Sequence, residues 1–123
     1  MDHIMAVLLN GVAQLEYDRS KPLPAHQAVY LDKMDDKMNK GIEIDGSFTQ
    51  QPDLDQKARF IAANLLNAMK TDNEPMAASL CTWLANRLPD LKQVKIDNSE
   101  GDIAIELVFD EEYQKQVPVQ FIH

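Results

Sequence analysis

The side-chain rhythm of this chain changes once, near Pro89, and that change constrains the fold more than any motif. Before it, apolar residues recur at helical spacing. After it, they alternate with polar ones, as along a half-buried strand. A chain carrying helices followed by strands folds as an α+β domain, with the helices on one face of an antiparallel sheet. The expected architecture is about four helices, the last two a helical hairpin, packed on a C-terminal three-stranded antiparallel meander.

The firmest helix is expected from about Leu54 to Lys70, where Leu54, Ala58, Ile61, Leu65 and Ala68 or Met69 share a face. Asp53 and Gln56 stand at capping-box spacing before it. Thr71-Asp72-Asn73 ends that helix and caps the next, in which Pro75 falls within the first turn, where its missing N–H does no harm. This next helix runs to about Leu88 on a stripe of Met76, Leu80, Leu84 and Leu88, and the short link makes the two helices an antiparallel pair.

An earlier helix is expected from about Ala25 to Lys40, with Leu31, Met34 and Met38 inward and Gly41 past its C-terminus. Residues 3 to 17 are ambiguous. Ile4, Leu8, Val12 and Leu15 fit a helical stripe, yet Asn10-Gly11 between apolar runs is a hairpin signal. Their Ala, Leu, Gln and Glu content favours helix. Ile42 to Gln51 reads as a loop with a short extended piece over 42–44 before Asp45-Gly46.

Beyond Pro89, Val94 and Ile96 form one expected strand. Asn98-Ser99-Glu100-Gly101 forms the turn, and Ile103, Ile105, Leu107 and Phe109 form the core face of the second strand. Val117, Val119 and Phe121 continue the alternation as a third, with Pro118 favouring an edge.

The chain has 123 residues, 45% apolar and 26% charged, which suits one folded domain over residues 1–123. Its formal charge is −8, and seven of its 20 acidic side chains lie in residues 97–123 beside a single lysine. With no cluster of Lys and Arg, nucleic-acid binding is not expected. Cys81 is the only cysteine, which excludes an internal disulfide and a four-cysteine zinc site and fits a reducing cytoplasm. The apolar run from Ile4 to Leu9 is too short for a signal core or a membrane span.

Candidate chemistry is sparse. Gly11, Gly41, Gly46 and Gly101 are too scattered for a phosphate loop, so no cofactor is expected, and His3 and His123 lie near the ends. His26 and Tyr30 are one helical turn apart and form the one candidate general-base pair, against the simpler reading of a surface histidine beside a half-buried tyrosine. Asp32, Asp35 and Asp36 present oxygens one turn apart, but the interleaved Lys33, Lys37 and Lys40 favour a solvated face over a metal site.

The turn from Asp97 to Asp102 has a calcium-loop composition but lacks glycine at its sixth position and glutamate at its twelfth. No metal is therefore expected. Cys81 reads as a buried small apolar residue, and Trp83 as core in preference to an interface anchor.

The acidic side chains are expected as two patches at opposite ends of the central strand: Asp97, Glu100 and Asp102 at one, Asp110, Glu111 and Glu112 at the other, about 20 Å apart. The function expected from all this is a small cytosolic binding or accessory module working through protein contacts with a basic partner, as a monomer or a homodimer. The alternatives are an enzyme using His26 and, third, an acidic mimic of DNA.

Overall fold

Asn10 and Gly11 both take positive φ, 51° and 85°. That pair of angles is what a two-residue type I′ hairpin requires, and it decides the first ambiguity in favour of strands. In the computed structural model, which describes residues 4–44 and 46–112, β1 (Ile4–Leu9) and β2 (Val12–Asp18) form an antiparallel hairpin. The helix expected over 3–17 is absent. Met5, Ala6, Val7 and Leu8 are all buried, so both faces of β1 are covered and its sequence shows no alternation.

The described residues continue with α1 (Ala25–Asn39), β3 (Ile42–Ile44), β4 (Ser47–Thr49), α2 (Leu54–Lys70), α3 (Glu74–Arg87), β5 (Gln93–Asp97) and β6 (Ala104–Val108). They hold three helices where four were expected. The main sheet has the order β2-β1-β5-β6, with β1 parallel to β5 and both hairpins antiparallel. This mixed sheet replaces the expected C-terminal meander. β3 and β4 make a separate two-stranded ribbon in the stretch expected to be mostly loop. Asp45, His3, His123 and the strand expected over 117–121 lie outside the described residues.

One face of the sheet carries Met5, Val7, Leu9, Leu15, Tyr17, Val94, Ile96, Ile105 and Leu107, and all of these pack into the single core built with the helices. Only half of the expected β6 row is inside, because Ile103 and Phe109 lie beyond the strand ends and are exposed. α2 follows its sequence closely. Asp53 accepts from Gln56 N while Gln56 Oε1 accepts from Asp53 N, both at 2.8 Å, which completes the capping box.

α3 is buried all round from Leu80 to Ala85, as a helix enclosed by other elements must be. It packs against α1, α2 and β2. Its first turn is less enclosed, so Met76 is exposed although its spacing suggested core; Leu54, at the start of α2, is exposed for the same reason.

Long-range polar contacts then fix the elements. Arg19, after β2, donates to the carbonyls of Ala85 (3.3 Å) and Leu88 (2.9 Å); Leu88 O accepts from Leu91 N as well, whereas Ala85 O, four residues before Pro89, is an acceptor that the end of α3 leaves open. Burial lowers the Arg19 pKa, against opposing Coulombic effects from Tyr17, Asp90 and Cys81. Asn10 and Asn98 exchange hydrogen bonds of 2.9 Å and lock the two hairpin turns together.

Candidate functional site

α1 and α2 both pack on α3 but scarcely touch each other. The space between them opens as a groove of about 410 Å³, within the range of ligand and peptide pockets. One wall is a single face of α1, from Tyr30 through Met34 to Lys37 and Met38. The other is a face of α2, with Phe60, Asn64, Asn67 and Thr71 three or four residues apart. At 1.5 Å per residue that wall is about 16 Å long.

Ile42, Ile61 and Leu80 supply buried apolar floor, and Met76 projects from the first turn of α3. Tyr30 and Met76 remain 43% and 42% exposed, so the apolar lining reaches solvent. The three methionines are unbranched and polarizable, and they adjust to different apolar shapes. At one end the ring of Phe48 lies on Gly41. A Cβ built on Gly41 would stand 2.1 Å from Phe48 Cζ, and its φ of +124° independently favours glycine.

A second concavity, about 1100 Å³, runs along the opposite face of the sheet. Leu8, Gln93, Lys95, Ala104 and Glu106 form its base, with Asp97 towards one end and Lys92, Asp110, Glu111 and Glu112 towards the other. Asp110, Glu111 and Glu112 thus line the trough together, whereas of the other expected patch only Asp97 does, and Glu100 and Asp102 do not. Five carboxylates face two lysines, and Lys95 Nζ is 3.5 Å from Glu111 Oε1.

His26 and Tyr30 do not converge on a reaction site. His26 is exposed and lines neither concavity, while Tyr30 belongs to the groove. Asp32 and Asp35 are engaged by a residue their own helix does not contain. Arg87 donates through Nη2 to Asp32 Oδ1 (2.9 Å) and through Nε to Asp35 Oδ2 (2.8 Å), and Trp83 Nε1 donates to Asp35 Oδ1 (2.8 Å). The expected solvated ladder with Lys33, Lys37 and Lys40 is therefore replaced, for these two, by a clamp of α1 onto α3. Asp36 is exposed.

Trp83 is fully buried, and burial pushes the Cys81 thiol up to about 12, partly opposed by the Arg19 charge. Such a thiol stays protonated and unreactive at neutral pH. In the turn after β5, Asp97 Oδ1 accepts from Ser99 N (2.9 Å) and Ser99 Oγ (2.6 Å). These bonds, the side-chain one first, hold the Asp97 carboxyl below the usual range. Among the described residues no group of three or more His, Cys, Asp or Glu is arranged to hold a metal, and no helix is long and apolar enough to cross a membrane.

Comparison with protein-family models, with curated proteins and with solved structures finds no match. The groove therefore has to be read from its own chemistry. No periodicity argument located it, because its lining comes from α1, β3, α2, the α2–α3 link and α3. The sequence assigned Met34 and Met76 to the core stripes of their helices, and the structure leaves Met76 exposed and Met34 half-buried at the groove beside Tyr30.

Proposed function

We propose that this protein is a small binding module that works through protein contacts, with the groove between α1 and α2 as its docking site. The observation that carries the reading is the groove's lining: a solvent-open apolar surface of Tyr30, Met34, Phe60 and Met76 over buried Met38, walled on one side by amides. An apolar floor anchors two or three side chains of a partner, and Asn64 and Asn67 offer groups able to pair with its backbone. The length of the wall suits a partner segment of about three helical turns.

The net charge of −8, to which the five carboxylates and two lysines of the trough on the outer face of the sheet contribute, steers a basic partner towards the molecule, while the apolar groove supplies the holding contacts. A catalytic reading through His26 gains no support from an exposed side chain outside both concavities.

The test is selection of a phage-displayed dodecapeptide library on the wild-type protein, with retesting of the enriched peptides as synthetic ligands. Peptides with spaced apolar anchors and flanking Lys or Arg are expected. Met34→Lys with Met76→Lys should weaken them at least tenfold, whereas Asp110→Asn with Glu111→Gln should mainly reduce the salt dependence of their association rate. Peptides that bind the groove variant as well as the wild type would refute the assignment.

A further inference from the structure

The charged side chains of α1 are sorted by what they meet. Arg87 and Trp83 of α3 take the Asp32 and Asp35 carboxylates, so two of the acids that interleave with Lys33, Lys37 and Lys40 in sequence are engaged elsewhere. The three lysines stand four and three residues apart, which places them in one row along the helix. All three are exposed, and among the described residues none has an ion-pair partner, Asp36 included. Lys37 is the member of this row that lines the groove.

Among the described residues, Lys37 is the one charged side chain of the groove's lining, and no carboxylate shares it. Its sign is opposite to that of the chain as a whole, at −8, and to that of the trough on the other face of the sheet, where five carboxylates face two lysines. A carboxylate entering the groove therefore meets Lys37 without displacing an internal ion pair. Once a partner covers Met34, Phe60 and Met76, water is thinned around that contact and the attraction strengthens.

Resting on the groove as the docking site, we propose that the partner segment seated there is acidic at one end: its apolar anchors fill the groove and an Asp or Glu pairs with Lys37. Lys33 and Lys40 extend the attraction along the row. Lys37 stands two helical turns after Tyr30 and one before Gly41, so the acid lies about 10 Å from the anchor over Tyr30, towards the end where Phe48 covers Gly41. Basic residues that answer the chain's overall charge belong to parts of the partner outside the groove. A segment basic throughout would set like charge against Lys37, which selects against it.

Parallel selection of a phage-displayed dodecapeptide library on wild type and on Lys37→Glu tests this, with the enriched peptides synthesised and titrated by fluorescence anisotropy. Peptides that Met34→Lys with Met76→Lys weakens are the groove ligands. Those from wild type should carry Asp or Glu at a constant spacing from their apolar anchors, and those from Lys37→Glu should carry Lys or Arg at that position. Lys37→Ala should weaken a wild-type peptide about two- to fivefold, the worth of a solvent-exposed ion pair. Lys37→Glu should weaken it about tenfold, because attraction becomes repulsion, and changing the peptide's acid to lysine should recover the loss. Lys21→Glu, an equal change of net charge at an exposed site off the groove, should leave affinity within about twofold. Groove ligands without a fixed acid, or weakened equally by Lys37→Glu and Lys21→Glu, overturn this proposal and leave the groove reading standing. Peptides indifferent to the methionine substitutions overturn both.

Discussion

Asp35→Ala removes the carboxylate that joins α1 to α3, and its cost follows from the two donors it strands. Trp83 is fully buried and its Nε1 loses its acceptor; an unsatisfied buried donor costs about 1–3 kcal/mol. Asp35 keeps a quarter of its side-chain surface in solvent, so water enters part of the vacated space and the lower half of that range applies. Arg87 loses one of its two carboxylates. That pair is partly exposed, and its loss adds no more than about 1 kcal/mol after solvent screening.

The expected total is about 1–3 kcal/mol, or a fall in Tm of roughly 4–12 °C for a domain of this size. Trp83 is the only tryptophan, so thermal unfolding followed by its fluorescence reports on the perturbed site itself. Asp35→Asn keeps an oxygen for the indole while discarding the charge, and should cost about 1 kcal/mol. Two variants of equal stability, or an Asp35→Ala loss below about 0.5 kcal/mol, would refute the claim that the indole hydrogen bond dominates.

Three further outcomes follow from other buried or hydrogen-bonded groups. Arg19→Ala leaves the carbonyl of Ala85 without its donor and that of Leu88 with Leu91 N alone and should cost about 1–3 kcal/mol in urea unfolding, with Arg19→Lys recovering only part. The Cys81 thiol is pushed up to about 12 in the folded chain and ionises near its ordinary value, about 8.5, when unfolded. Its contribution is thus fully present at neutral pH and declines by up to about 1.4 kcal/mol per pH unit between the two values. Cys81→Ala should flatten the alkaline limb of the stability profile, and native Cys81 should react with Ellman's reagent only as fast as the protein opens. Asp97, held low by Ser99, should titrate below the ordinary carboxylate range by NMR, and Ser99→Ala should raise it towards that range. The stabilisation from Asp97 is present above the unfolded-state value and is lost as the pH falls through its folded value.

Local signals in the sequence located the elements that local energetics determine. The Asp53–Gln56 box, the cap at Asn73 with Pro75 in the first turn, and the alternation through Val94, Ile96, Ile105 and Leu107 all reappear in the structure. β1 escaped because burial on both faces removes alternation, leaving an apolar run whose count also fits a helix; Asn10-Gly11 was the deciding signal, and composition was the wrong tiebreaker. The parallel pairing of β1 with β5 left no local mark, since it joins Ala6 to Gln93 and Leu9 to Ile96. The Asp35–Trp83–Arg87 clamp was hidden for the same reason, with lysines beside the aspartates in sequence and an arginine beside them in space.

That long-range closure also bears on the proposed site. All three helices lie in the stretch between β2 and β5, and β1 closes it by binding β2 on one edge and β5 on the other. The Asn10–Asn98 exchange and the Arg19 contacts to Ala85 and Leu88 fasten the ends of that stretch. The two walls of the groove belong to helices that scarcely touch, so their separation is set by how each is seated on α3, and the seat of α1 is the Asp35 clamp. A substitution at Asp35 should therefore weaken a groove ligand even where the protein stays folded, whereas one at Arg19 should lower stability without changing affinity at temperatures below unfolding. Equal effects of the two on affinity would mean that the groove depends on the rigidity of the whole fold and not on the seating of one helix.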